Sequence, residues 1–156
     1  MGMYTELTLK VDLNEGLPED VNRILRFLFD NSFDEDDDEM VTGKDFIKKY
    51  GELPDHEFFK SERWSSVGSC NSFYHVPETF NHYRRNSLFS RSDLKNYDCE
   101  IEKFLDWLLP YISKEENRRV VAMAWYEEDD APTCYFFRNT HKRYYSIGSI
   151  ECKEGK

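Results

Sequence analysis

The chain has 156 residues, 31 of them acidic and 21 basic, for a net charge of -10, and 16% of residues are aromatic. That length suits one domain over residues 1–156, with a core that needs no disulfide or metal staple. The charge disfavours non-specific adhesion to nucleic acid or to an anionic membrane, and no stretch reaches the ~20 apolar residues of a membrane span.

Residues 5–13 alternate. Thr5, Leu7, Leu9, Val11 and Leu13 share one face and Glu6, Thr8, Lys10 and Asp12 the other, the pattern of a half-buried strand. After a turn at Gly16, Pro18 stands where a helix would begin, with Glu19 and Asp20 in its first turn. Val21, Ile24, Leu25 and Leu28 form the buried stripe of that helix. Residues 31–42 read as an acidic loop. Residues 43–50 read as a short helix stopped by Gly51 and Pro54. Residues 55–69 are irregular, with Phe58, Phe59 and Trp64 at least partly buried. Residues 70–76 and 88–94 read as strands, with a wide turn between them.

Residues 98–114 carry Ile101, Phe104, Leu105, Leu108 and Ile112 at helical spacing, with Asp98 as N-cap. Pro110 breaks the last turn, so the stripe holds through Leu108 and weakens at Ile112. Residues 120–126 are apolar on both faces, as an interior strand would be. An acidic turn follows at 127–132, then a returning strand at 133–137, a last strand at 144–150 and a frayed tail at 151–156. The order implies an α+β fold: an antiparallel or mixed sheet of four to six strands with two main helices on one face. Its order is ferredoxin-like, β-α-β-β-α-β, with an extra C-terminal strand.

Cys70, Cys99, Cys134 and Cys152 are widely spaced and form no CxxC, which suits reduced thiols and a cytoplasmic setting. The N-terminus lacks a basic region leading into an apolar run, so no leader is expected. Glu6 stands where myristoylation of Gly2 would need Ser or Thr.

Asp34, Glu35, Asp36, Asp37, Asp38 and Glu39 form an unbroken acidic run, and Glu127, Glu128, Asp129 and Asp130 form a second cluster. The first run can be laid on a calcium loop, but Glu39 replaces the turn glycine and Asp45 the bidentate Glu, so no metal site is expected. Cys70, His75 and His82 match no zinc spacing. No GxSxG, HExxH or phosphate-binding Gly-rich motif occurs, so no catalytic residue and no cofactor are assigned. The basic-aromatic clusters Tyr83, Arg84, Arg85 and His141, Lys142, Arg143 are an alternative anion site.

The opening Met3-Tyr4-Thr5-Glu6-Leu7, the stretch FFKSERWSSVGSCNSFYH and the later SRSDLKNYDCEIEKFLDWLLPYI resemble small uncharacterised proteins of bacteria and their phages. The resemblance implies a phage or mobile-element setting, in which small acidic proteins bind a host protein and block it, for instance a nucleic-acid-binding defence protein. It brings no catalytic residue.

The expected function is therefore non-catalytic. The acidic clusters would meet the basic surface of a protein partner, with Trp64 or Tyr83 as exposed anchors and no direct nucleic-acid or membrane contact. The alternative is a small domain, with catalysis left open, that binds a nucleotide or other phosphorylated ligand through the basic-aromatic loops. The surplus of aromatics permits a homodimer.

Overall fold

The computed structural model describes residues 3–29, 42–68, 80–84, 86–139 and 145–151, with 80–82, 84 and 145–151 given by backbone course and register. The alternation after Tyr4 folds as read: β1 spans Thr5–Asp12, with Thr5, Leu7, Leu9 and Val11 buried and the residues between them facing outward. It is followed by α1, Glu19–Phe29, whose Val21, Ile24, Leu25, Leu28 and Phe29 are buried.

The next described elements are the short helices α2, Gly43–Tyr50, and α3, Glu57–Lys60, and a 3-10 turn at Trp64–Gly68. Thr42 and Asp45 form a reciprocal capping box on α2, and Gly51 ends it at φ 86°. The chain then forms β2, Phe80–Arg84, β3, Ser87–Leu94, and α4, Glu100–Leu108. The sheet is completed by β4, Val120–Tyr126, β5, Thr133–Asn139, and β6, Tyr145–Glu151.

The six strands form one sheet in the order β2-β3-β1-β4-β5-β6, and every neighbouring pair is antiparallel. The fold is thus α+β, and the mixed-sheet option falls away. Helices α1 and α4 cover the same face, since Phe29 of one meets Phe104 of the other at 5.6 Å between ring centroids. Beside them α2, α3 and the 3-10 turn build an aromatic layer, with Trp64 packed against Phe46, Phe58 and Phe59 at 5.2–6.0 Å.

Three local expectations, at Asp98, Ile112 and β4, are corrected. Asp98 is not the cap of α4: Cys99 occupies that position in the left-handed region, and the Asp98 carboxylate pairs with Lys103 at 3.1 Å. Glu100 is buried, accepting from Ser61 Oγ and the Asp98 amide. Ile112 is fully buried although α4 has ended, because it bridges to Leu13 as extended backbone. Strand β4 is not apolar on two covered faces, because Val120, Met123 and Trp125 are exposed. The strand read at 70–76 lies outside the described residues, and the stretch before 88–94, which the sequence allows as a wide turn or the top of a long hairpin, contains β2 paired antiparallel with β3.

Among the described residues no helix is long and apolar enough to cross a membrane.

Candidate functional site

Among the described residues, helices α1 and α4 lie on one face of the sheet, and the other face carries the exposed side chains of Phe89, Met123 and Trp125. Side-chain direction alternates along a strand, so the register decides what gathers on that second face. Glu6 of β1 stands between Asp93 of β3 and Trp125 of β4, which places the three in one row across the sheet. The next row is Arg91, Thr8, Met123 and Cys134. Directly opposed side chains in such rows have Cβ atoms about 4.5–5.5 Å apart. Arg91 reaches diagonally to Glu6, Nε to Oε1 at 2.9 Å.

At the end of the first row, Tyr4, Glu6, Asp93, Trp125, Glu127 and Asp129 line an open cleft of about 340 Å³. The chain itself fixes the cleft's rim. The Glu127 amide donates to the Tyr4 carbonyl at 3.2 Å, the Asp129 amide to the Tyr126 carbonyl at 2.9 Å, and the Trp125 indole Nε1–H to the Asp129 carbonyl at 2.9 Å. Trp125 is 45% exposed, whereas Trp64 and Trp107 are 3% and 5% exposed. Asp93 is fully buried.

Four carboxylates line this cleft, the Arg91 guanidinium pairs with that of Glu6, and the acidic side chains of the 127–130 turn set a negative field around it. The same field is felt next door. The Tyr126 phenol is pushed above its ordinary value first by lost hydration, then by Glu128, Glu127, Tyr97 and Asp129. A second cleft of about 270 Å³ adjoins, with Asp129 common to both. There Tyr135 donates to Glu102 at 2.8 Å. Burial first, and then that carboxylate, hold its phenol protonated far above neutrality.

Open aromatic faces beside carboxylates suit an organic cation. The ring quadrupole attracts it, and the carboxylates add charge-assisted hydrogen bonds. Lys95 already illustrates the affinity, with Nζ 5.5 Å from the centre of the Tyr4 ring. Among the described residues no three His, Cys, Asp or Glu side chains are close enough to hold a metal ion.

The expected site residues fall in different places. Glu127, Glu128, Asp129 and Asp130 form the exposed turn between β4 and β5. Asp34, Glu35, Asp36, Asp37, Asp38 and Glu39 lie outside the described residues, as do Arg85, His141, Lys142, Arg143, Cys70, His75 and the side chains of His82 and Arg84. Two anchors are corrected. Trp64 is 3% exposed in the aromatic layer, and Tyr83 is 7% exposed with its hydroxyl bonded to Asn22 of α1, so neither presents a ring to a partner. Burial also takes the Tyr83 ring away from the anion-binding cluster it was expected to join. Cys99 is exposed and Cys134 half-buried, and neither is in a disulfide.

His56 has a structural role. Its Nδ1 accepts from the Phe58 amide at 3.0 Å and its Nε2–H points to Asp106 at 3.0 Å, which leaves neither nitrogen to act as a base.

Sequence reasoning missed Tyr4, Glu6, Asp93 and Trp125 as a group, because they come from three strands whose register is not written in any local pattern. The spacing of Met123 and Trp125, two residues apart beside an acidic turn, was the signal that could have located half of it. Comparison with protein-family models, curated proteins and solved structures gives no match to this chain, so the likeness to small bacterial and phage proteins rests on the residue runs quoted above.

Proposed function

We propose that this chain is a non-catalytic interaction protein. Its open sheet corner, built on Trp125 and the turn from Glu127 to Asp130, docks on the basic surface of another protein. The observation that carries the reading is the convergence of Glu6, Glu127 and Asp129 around a half-exposed indole. An exposed Trp in a pocket supplies a strong contact per unit area, and the carboxylates steer a cationic partner and discriminate against phosphate-rich ones. A lysine or arginine side chain of the partner fills the cleft, its stem on Trp125 and its head among the carboxylates. Met123, 37% exposed, extends the contact along β4.

The order β4-β1-β3-β2 within the sheet, with α1 and α4 on one face, supports a ferredoxin-like arrangement extended by β5 and β6. In that arrangement the open face is free for a partner. A cytoplasmic, phage- or mobile-element-encoded inhibitor that blocks a host protein is the setting we favour for such a surface.

Two immobilised baits test the reading in one lysate: the wild-type chain, and a variant carrying E127Q, E128Q, D129N and D130N together. The expected result is a basic protein retained by the wild type, released by salt and absent from the variant. Equal retention on both baits would remove the turn from the interface.

A further inference from the structure

A separate cleft of about 690 Å³ opens on the helix side of the sheet, between α2 and the segment that runs from α3 through Trp64. Its size falls in the range of small-molecule sites, which combine an apolar lining with a few placed polar groups. Ile47, 44% exposed, and Leu53 and Phe59 form its apolar wall, with Trp64 at its floor. Lys44, Lys60 and Arg63 also line it, against one carboxylate, Glu62. In a chain of net charge -10 this local excess of cations runs against the molecule as a whole.

The three cations are not equivalent. Lys60 is engaged by Glu57 at 2.9 Å and by Asp55 at 3.9 Å. Arg63 has its guanidinium 5.3 Å from the centre of the Tyr97 ring, an uncharged partner that does not neutralise it. Lys44 and Arg63 are therefore the groups suited to a ligand. The frame is rigid. The Gly43 amide donates to Ser65 Oγ at 3.2 Å, which ties the start of α2 to the opposite wall. A Cβ on Gly43 would stand 2.6 Å from the Trp64 indole nitrogen, so only glycine lets the two walls approach this closely.

We propose that this cleft binds a small amphipathic anion, an aromatic ring bearing a phosphate or carboxylate. The ring lies on Ile47, Leu53 and Phe59, and the anionic head meets Lys44 and Arg63. The site is distinct from the acidic corner, and it stands or falls independently of the protein-docking surface.

The test is a titration of the ¹⁵N-labelled full-length chain with 1-naphthyl phosphate and with 1-naphthoate. 1-Naphthol and inorganic phosphate serve as single-feature controls. The expected result is a saturable shift of the Trp64 indole N–H and the Lys44 amide, with the Trp125 indole unmoved and both controls at least tenfold weaker. Lys44 and Arg63 are exposed, so K44E and R63E are expected to keep the wild-type circular dichroism and melting temperature while each weakens binding at least tenfold. Tighter binding of the phosphate assigns the head group as a dianion, and tighter binding of the carboxylate assigns it as a monoanion. The proposal is overturned if neither arene anion moves Trp64 and Lys44, if either control binds as tightly, or if K44E and R63E bind like the wild type.

Discussion

At Gly68 the backbone runs so close to α1 that an added Cβ would overlap the Leu28 carbonyl oxygen, a backbone atom that cannot swing aside. G68A is therefore expected to destabilise the chain by about 2–3 kcal/mol, or roughly 5–10 °C in Tm, measured by thermal melting. Removing the indole that packs against Gly43, W64A, should cost more, about 3–5 kcal/mol in urea unfolding, because the side chain holds Phe46, Phe58 and Phe59 together. Glu116 makes a pH prediction. Its side chain is 8% exposed, and burial first, then the neighbouring Asp12, raises its pKa above the ordinary 4.5, against the pull of Arg119. A carboxyl raised in the folded state supports folding below its unfolded value, and that support is lost as pH rises through the folded value. E116Q should therefore gain stability over the wild type above about pH 5 and lose that advantage near pH 4, read from melts across that range. The burial of Trp64 is legible from the chain alone, but the partners of these three residues are not. Gly68, Trp64 and Glu116 find them 40, 18 and 104 positions away, at Leu28, Phe46 and Asp12.

Elements were more legible than their surroundings. The alternation of β1, the Pro18 start of α1 and the Gly51 stop of α2 are local signals, and each falls where the residues put it. Strand β4 shows the limit. VVAMAWY reads as a doubly covered strand because it is apolar throughout, but only Val121, Ala122 and Ala124 are buried. Covering the second face would require a second layer, and the described helices α1 and α4 lie on one side. The exposed residues of β4 are thus available for contact rather than for stability. W125A should abolish partner capture while changing the unfolding free energy by less than about 1 kcal/mol, since the side chain is half in water already. A loss of capture accompanied by a large loss of stability would instead make Trp125 part of the fold.

For the molecule as a whole, the net charge of -10 is not spread evenly. The cleft beside Trp125 is lined by four carboxylates, whereas the cleft beside Trp64 is lined by three cations and one carboxylate. The overall sign was visible in composition, and the acidic run at 127–130 was visible in the sequence. The placement of Tyr4, Glu6 and Asp93 beside it needed the antiparallel register of β3, β1 and β4. On this reading the acidic corner receives a cationic side chain of the partner. The most direct measurement follows the Trp125 indole N–H of the ¹⁵N-labelled chain during titration with a deca-arginine peptide, at about 0.05 M and about 1 M salt. Saturable movement of the Trp125 indole and the Glu127 amide is expected at low salt, suppressed at high salt and weakened in the E127Q/D129N variant. A Trp125 signal that stays in place while other resonances respond, or one that moves equally at both salt concentrations, would contradict this reading.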